Sequence, residues 1–205
     1  MSGSVAVVDY GTGNLTSICR AFARVGVEAK RVTSPAAADK ASHLVLPGVG
    51  AFPKALTRLG ELGFDSFLTA RAAEGTPLLG VCLGMQLLFD SSSELGGSAG
   101  LGLISGQVKP LDSRGERLPH IGWSPVSWER DSALGAGLGP TTPMYHVHSF
   151  AATVDDPADL LATATHGAEF VTAVNRGSVY GVQFHPEKSS DLGLQLLKNF
   201  AGITP

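Results

Sequence analysis

Leu79-Gly80-Val81-Cys82-Leu83-Gly84-Met85-Gln86 is the stretch on which the reading turns. It joins an apolar run, Pro77 to Val81, to a second one, Leu83 to Phe89, and these read as a buried strand and the helix that follows it. A Gly-x-Cys-x-Gly sequence at such a junction flanks the cysteine with residues that need no side-chain room. Cys82 then stands at the apex of a tight strand-to-helix turn, the nucleophile-elbow arrangement with sulfur in place of oxygen. The amino end of the helix offers free N–H groups and a favourable dipole, both of which support thiolate. The competing explanation is a core cysteine, because free cysteines commonly pack in interiors. Cys19, the other cysteine, lies within an amphipathic helical pattern and has no comparable setting.

Working outward, the same alternation recurs. Val5-Ala6-Val7-Val8 is a short apolar run ending at Asp9 and the glycines of Tyr10 to Asn14. Leu15, Ile18, Phe22 and Val25 mark one face of a helix that Gly26 stops. His43 to Leu46 is a further strand, ended by Pro47-Gly48, and helices are expected from Phe52 to Leu62 and from Phe64 to Ala73. Strand-helix repetition of this kind predicts an α/β fold in three layers, built on a mostly parallel, doubly wound sheet. From about Gly100 to Gly181 the pattern changes to short apolar segments separated by Gly and Pro, including Gly102 to Ile104, Phe170 to Val174 and Val179 to Val182. These read as antiparallel additions to the sheet. Leu192, Leu196 and Phe200 predict a last helix capped by Ser190 or Asp191. No linker interrupts residues 1–205, which are expected to form one domain.

Composition excludes several function classes. The chain of 205 residues carries a net charge of -3, so no basic excess is available for a nucleic-acid backbone. No apolar stretch approaches the ~20 residues of a membrane span, and the first nine residues do not read as a signal peptide. Two cysteines cannot frame a disulfide scaffold, which points to a reducing, cytoplasmic setting.

A thiolate needs a proton partner. In an open parallel sheet the informative residues lie just beyond the carboxyl ends of the strands. His185-Pro186-Glu187 follows the run Val179 to Phe184 in that way, so His185 can exchange protons with Cys82 while Glu187 orients the imidazole. Pro47-Gly48-Val49-Gly50 occupies the equivalent place after another strand. Its backbone N–H groups, together with that of Leu83, can form an oxyanion hole. His146 and His148 are two apart but have no third ligand at metal-site spacing, and no Lys-Ser/Thr follows Gly11-x-Gly13 to build a phosphate cradle. No metal and no cofactor is expected.

The combination of Leu46 to Phe52, Gly80 to Gln86 and His185 to Glu187 resembles the class I glutamine amidotransferases. Asp9 to Leu15, Pro119-His120-Ile121-Gly122-Trp123, Tyr145 to Phe150 and Lys188-Ser189-Ser190 narrow the resemblance to the glutaminase subunits of imidazole glycerol phosphate synthase. The likeness runs from Val5 to Phe200. It implies a flavodoxin-like core, with Cys82 as nucleophile, His185 as acid and base, and Glu187 as the orienting carboxylate. It also implies an oxyanion hole at the backbone of Gly50 and Leu83, and glutamine contacts at Gly48, Gln86, Glu94 and Ser149. Asn14, Trp123, Tyr145 and Lys188 match positions near a subunit interface and ammonia gate. The implied partner is a cyclase subunit with a (β/α)₈ barrel in a 1:1 heterodimer. Two residues depart from the family pattern: Phe150 stands where an aromatic with a hydroxyl is usual, and His146 where Phe is usual.

Overall fold

The computed structural model describes residues 4–204. In chain order its first half contains β1 (Val5–Val8), α1 (Leu15–Arg24), β2 (Ala29–Val32), α2 (Pro35–Ala38), β3 (His43–Gly48), α3 (Phe52–Glu61), α4 (Phe64–Ala73), β4 (Leu78–Cys82) and α5 (Leu83–Leu87). The remainder contains β5 (Phe89–Ser92), β6 (Ser98–Ala99), β7 (Ile104–Pro110), β8 (His120–Trp128), β9 (Thr141–His148), β10 (Phe150–Val154), β11 (Leu160–His166), β12 (Ala168–Arg176), β13 (Val179–Val182) and α6 (Ser190–Ala201).

Strands β2, β1, β3, β4 and β13 lie side by side in that order, all parallel. Their side chains alternate between two cores, as a sheet covered on both faces requires. Ala6, Val8, Leu44 and Leu46 point to the face covered by Phe52, Leu59, Phe64 and Leu68 of α3 and α4. Val5, Val7 and Val45 point to the opposite face, under Ile18 and Phe22 of α1 and Leu196, Leu197 and Phe200 of α6. These are the three layers read from the alternating pattern. Beyond β13 the sheet turns antiparallel, through β12, β10 and β7, and a branch of β11, β8 and β9 folds off β12.

Several local expectations change. The helix after Cys82 ends at Leu87, and Phe89 opens a strand that pairs with Ile104. All of Leu83 to Phe89 is buried, so an unbroken apolar run hides the point where helix gives way to strand. β2 has no apolar signal because it is an edge strand whose Lys30 and Arg31 face solvent. β13 is parallel to β4 on one side and antiparallel to β12 on the other, so only one of its edges is the hairpin-like pairing expected. The N-cap of α6 is Ser189 rather than Ser190 or Asp191, and Leu192 is exposed while Leu197 takes a place on the buried face.

Candidate active site

Parallel register brings the two predicted loops together. Gly48 at the end of β3 lies opposite Cys82 at the end of β4, and Val182 of β13 lies opposite Val81. The three strands therefore end level, and the segments that leave them converge above one edge of the sheet.

The turn at Cys82 is as tight as the sequence suggested. Cys82 is held at φ 55, a left-handed conformation that a side-chain-bearing residue adopts only when its surroundings impose it. A Cβ at position 84 would collide with the Leu46 carbonyl oxygen, and one at position 80 would lie 2.6 Å from the Gly84 carbonyl oxygen. Both glycines of the motif are thus required by close backbone approach. α5 starts at Leu83, so the backbone N–H next to the sulfur belongs to the free first turn of a helix.

His185 reaches this place from β13. Its backbone N–H donates to the Tyr145 carbonyl at 2.8 Å, and its carbonyl accepts from Ser189 Oγ at 2.7 Å. Ser189 Oγ also accepts from the Tyr145 N–H at 3.0 Å, so one buried hydroxyl fastens the turn to β9. The imidazole Nδ1 meets Glu187 Oε1 at 2.9 Å, with the carboxylate side chain 1% exposed. On its other side the ring faces the Cys82 sulfur across the same cavity wall. Burial alone would push His185 down, but its interactions with Cys82 and with Glu187 outweigh it and hold the imidazole up at about 9. The three predicted triad residues are therefore assembled in the order sulfur, imidazole, carboxylate.

They open onto a cavity of about 320 Å³ whose wall includes Gly50, Cys82, Leu83 and His185. Gln86, Glu94, Ser149 and Lys188 line the same cavity. Gln86 Nε2 donates to the Phe150 carbonyl at 3.1 Å and to Gln183 Oε1 at 2.9 Å, which spends both amide hydrogens and leaves its oxygen uncommitted. Glu94 Oε2 accepts the Phe52 N–H at 2.7 Å and so caps α3 while facing the cavity. Gly50 takes a positive φ of 100, and Val49 before it is exposed, so this loop lies over the cavity without being packed into the core.

The four interface candidates divide. Trp123 is 51% exposed and meets the Tyr145 ring edge-on at 5.9 Å, and Lys188 Nζ lies 5.9 Å from the centre of the same ring. Trp123, Tyr145 and Lys188 thus form a continuous line from the surface to the cavity wall. Asn14 is exposed in the loop before α1, at its N-cap, and makes no side-chain cap there. His146 and His148 are buried, and the described residues contain no cluster of His, Cys, Asp or Glu that could hold a metal ion.

Sequence reasoning missed Gln183, whose Nε2 donates to Cys82 Sγ at 3.7 Å, and the Val147 carbonyl, which faces the same sulfur at 3.8 Å. A lone Gln inside the apolar run Val179 to Phe184 was the available signal for the first, and the structure buries it completely. A backbone group gives none for the second.

Comparison with known proteins agrees with this geometry. The family described as Glutamine amidotransferase class-I matches residues 6–202. The imidazole glycerol phosphate synthase subunit HisH of Moorella thermoacetica is 43% identical over 97% of this chain and 94% of its own length. The Synechocystis protein of the same name is 44% identical, over 97% and 95%. Among solved structures, one described as a glutamine amidotransferase superposes with a TM-score of 0.74 at 22% identity, covering 97% of this chain and 99% of that one. PurLQS from Thermotoga maritima superposes at 0.76 with 18% identity, covering 98% and 99%. At those identities the two structures speak to the fold alone.

Proposed function

Because the chain belongs to the class-I glutamine amidotransferase family, we propose that Cys82, His185 and Glu187 are the triad with which it hydrolyses glutamine. The enzyme is a glutamine amidotransferase subunit of imidazole glycerol phosphate synthase; it converts glutamine to glutamate and supplies the ammonia for histidine biosynthesis. The observation that carries the residue assignment is the buried imidazole between a sulfur and a carboxylate, held at about 9.

In this reading the Cys82 sulfur attacks the side-chain carboxamide carbon of glutamine. The tetrahedral oxyanion takes hydrogen bonds from the backbone N–H groups of Gly50 and Leu83. The carbon–nitrogen bond breaks, the nitrogen takes the proton of His185, and ammonia leaves behind a glutamyl thioester. Now neutral, His185 accepts a proton from water; the hydroxide attacks the thioester, the sulfur departs and glutamate is released. Gly48, Gln86, Glu94 and Ser149 hold the amino-acid end of the substrate. The uncommitted oxygen of Gln86 and the free oxygen of Glu94 are acceptors suited to an α-ammonium group.

Ammonia released into neutral water becomes mostly ammonium, which is no nucleophile. The subunit works in a complex with a cyclase partner, as the names of its relatives imply. The finer reading is a 1:1 heterodimer in which a (β/α)₈ barrel covers Asn14, Trp123, Tyr145 and Lys188. An exposed tryptophan leading through Tyr145 to a lysine on the cavity wall supports that face as the contact. Residues 1–205 act as one domain, and a nucleophilic sulfur suits a reducing cytoplasm.

Assay of the complex tests the reading. Cys82→Ala should abolish glutamine hydrolysis while leaving synthesis from added ammonia. Hydrolysis persisting near the wild-type rate would remove Cys82 as the nucleophile.

A further inference from the structure

Four imidazoles outside the triad gather on the antiparallel side of the cavity. His120 on β8 stacks on His146 at 5.0 Å and on His166 at 4.3 Å, and meets His148 edge-on at 5.1 Å. Phe170 of β12 closes the group, 4.9 Å from His148. Ring stacking alone explains a packed cluster. The hydrogen bonds do more, because they run in only one direction.

The Phe150 carbonyl can only accept, so His148 Nδ1, 2.9 Å away, carries the hydrogen. A neutral His148 then presents a lone pair at Nε2. His120 Nδ1 lies 3.1 Å from that nitrogen and must therefore be the N–H of its own ring. His120 Nε2 is left as an acceptor and takes the hydrogen of Ser124 Oγ at 2.9 Å. His146 stands outside this chain, donating from Nδ1 to the Met144 carbonyl at 3.1 Å and accepting from Thr172 Oγ1 at 2.8 Å.

The chain ends on a carbonyl that matters to the cavity. The Phe150 oxygen is the same one that Gln86 holds at 3.1 Å, and the Ser149 carbonyl beside it is held by the Leu111 N–H at 2.9 Å. Ser149 is the single residue between β9 and β10, and it lines the cavity with Phe150 and His148. The corner is therefore pinned from three directions, one of them the imidazole chain. Its far end, Ser124, follows the exposed Trp123 on β8.

We propose that His148, His120 and Ser124 are positioning residues for glutamine: a one-way hydrogen-bonded chain from β8 that fixes the Ser149–Phe150 corner of the substrate site. This rests on the glutaminase reading of the cavity. The chain runs in this direction while both rings are uncharged: a second proton on His148 would set its Nε2–H against the N–H of His120, and one on His120 would turn the Ser124 hydroxyl round to accept. Burial keeps them so, pushing His120 and His148 each down to about 4. The charged and titratable groups facing the two rings are His146 from β9, His166 from β11 with its Glu116 partner, and His185 beyond β13.

Two measurements test it. In wild-type chain with ¹⁵N-labelled histidine, His120 and His148 should each show a protonated Nδ1 and a bare Nε2 throughout the neutral range. An Nε2–H form of either ring overturns the proposal, and this result needs no variant to fold. In the complex with the cyclase subunit, His120→Leu should raise the KM for glutamine about tenfold and leave kcat within about threefold. His120→Asn, whose amide can donate in the place of Nδ1, should restore most of the KM. An unchanged KM in His120→Leu overturns the chain while leaving the glutaminase reading intact. Wild-type complex that hydrolyses no glutamine overturns the reading beneath it.

Discussion

His185 and His146 are both buried, and they stand at opposite ends of the histidine range, at about 9 and about 3. Burial alone pushes both down. The difference lies in what each ring faces. His185 meets a carboxylate and a sulfur, and both raise it toward the imidazolium. His146 meets a carbonyl, a hydroxyl and other imidazoles, which satisfy a neutral ring and repel a charged one. One region of the molecule thus holds a proton on its imidazole and the other excludes one. Partner chemistry, rather than depth, separates the histidine proposed as acid and base from the packed ones.

The largest expected effect comes from taking His185's partners away. Cys82→Ala should lower glutamine hydrolysis by at least about three orders of magnitude, and Glu187→Gln by about two to four. Both are read as kcat in the presence of the cyclase subunit. A Glu187→Gln enzyme at the wild-type rate would show that the carboxylate does not set the imidazole's behaviour. Next is Gly84→Ala, which forces a methyl group onto the Leu46 carbonyl oxygen. It should cost about 2–3 kcal/mol of stability, read as a fall in Tm, and should lower kcat by moving the sulfur.

Stability against pH sharpens the contrast, because the two regions act with opposite sign. His120, His146 and His148 have folded values below the unfolded 6.5, so the unfolded chain binds more protons as pH falls. Their contribution is complete above 6.5 and is lost as pH falls toward about 4 and then about 3. His185 has a folded value above 6.5, so its contribution is complete below 6.5 and is lost as pH rises toward about 9. Tm should therefore peak near neutrality and fall by several degrees on the acid side. His146→Phe should flatten the acid limb and leave glutaminase activity within about twofold at neutral pH. An acid limb unchanged in that variant would deny His146 its share. The smallest effect on the chain itself is expected from Trp123→Ala, an exposed site: stability within about 0.5 kcal/mol. Its affinity for the cyclase subunit should fall about tenfold or more, measured by titration calorimetry.

The parallel region was far more legible in the sequence than the antiparallel one, and for a physical reason. A buried parallel strand is a short apolar run whose carboxyl end is where a site residue is sought, so Val5–Val8, His43–Gly48 and Leu78–Cys82 announce the elements, and the last two also point to the candidate site. Edge strand β2 carries Lys30 and Arg31 and gives no such signal. In the antiparallel part, β8 and β9 alternate between buried and exposed residues and place buried histidines among Gly, Ser and Pro. The sequence set aside a metal role for His146 and His148 for want of a third ligand, but what they do instead was hidden, because the pairing of β8 with β9, which sets His120 against His148, is invisible in one dimension. Gln183 escaped for a similar reason: its partner Cys82 is 101 residues away in sequence. Cys82, His185 and Glu187 were legible because each sits in a short motif whose backbone demands are local.

The central claim is that the sulfur at 82 and the carboxylate at 187 act together on the imidazole at 185 and hold its proton. A ¹⁵N NMR titration of the His185 ring, in wild type and in Cys82→Ala, tests it most directly. The account predicts a doubly protonated ring at neutral pH in wild type, losing its proton near 9, and a clear shift to lower pH once the sulfur is gone. A ring that is already neutral at pH 7, and that titrates identically with and without the sulfur, would contradict it.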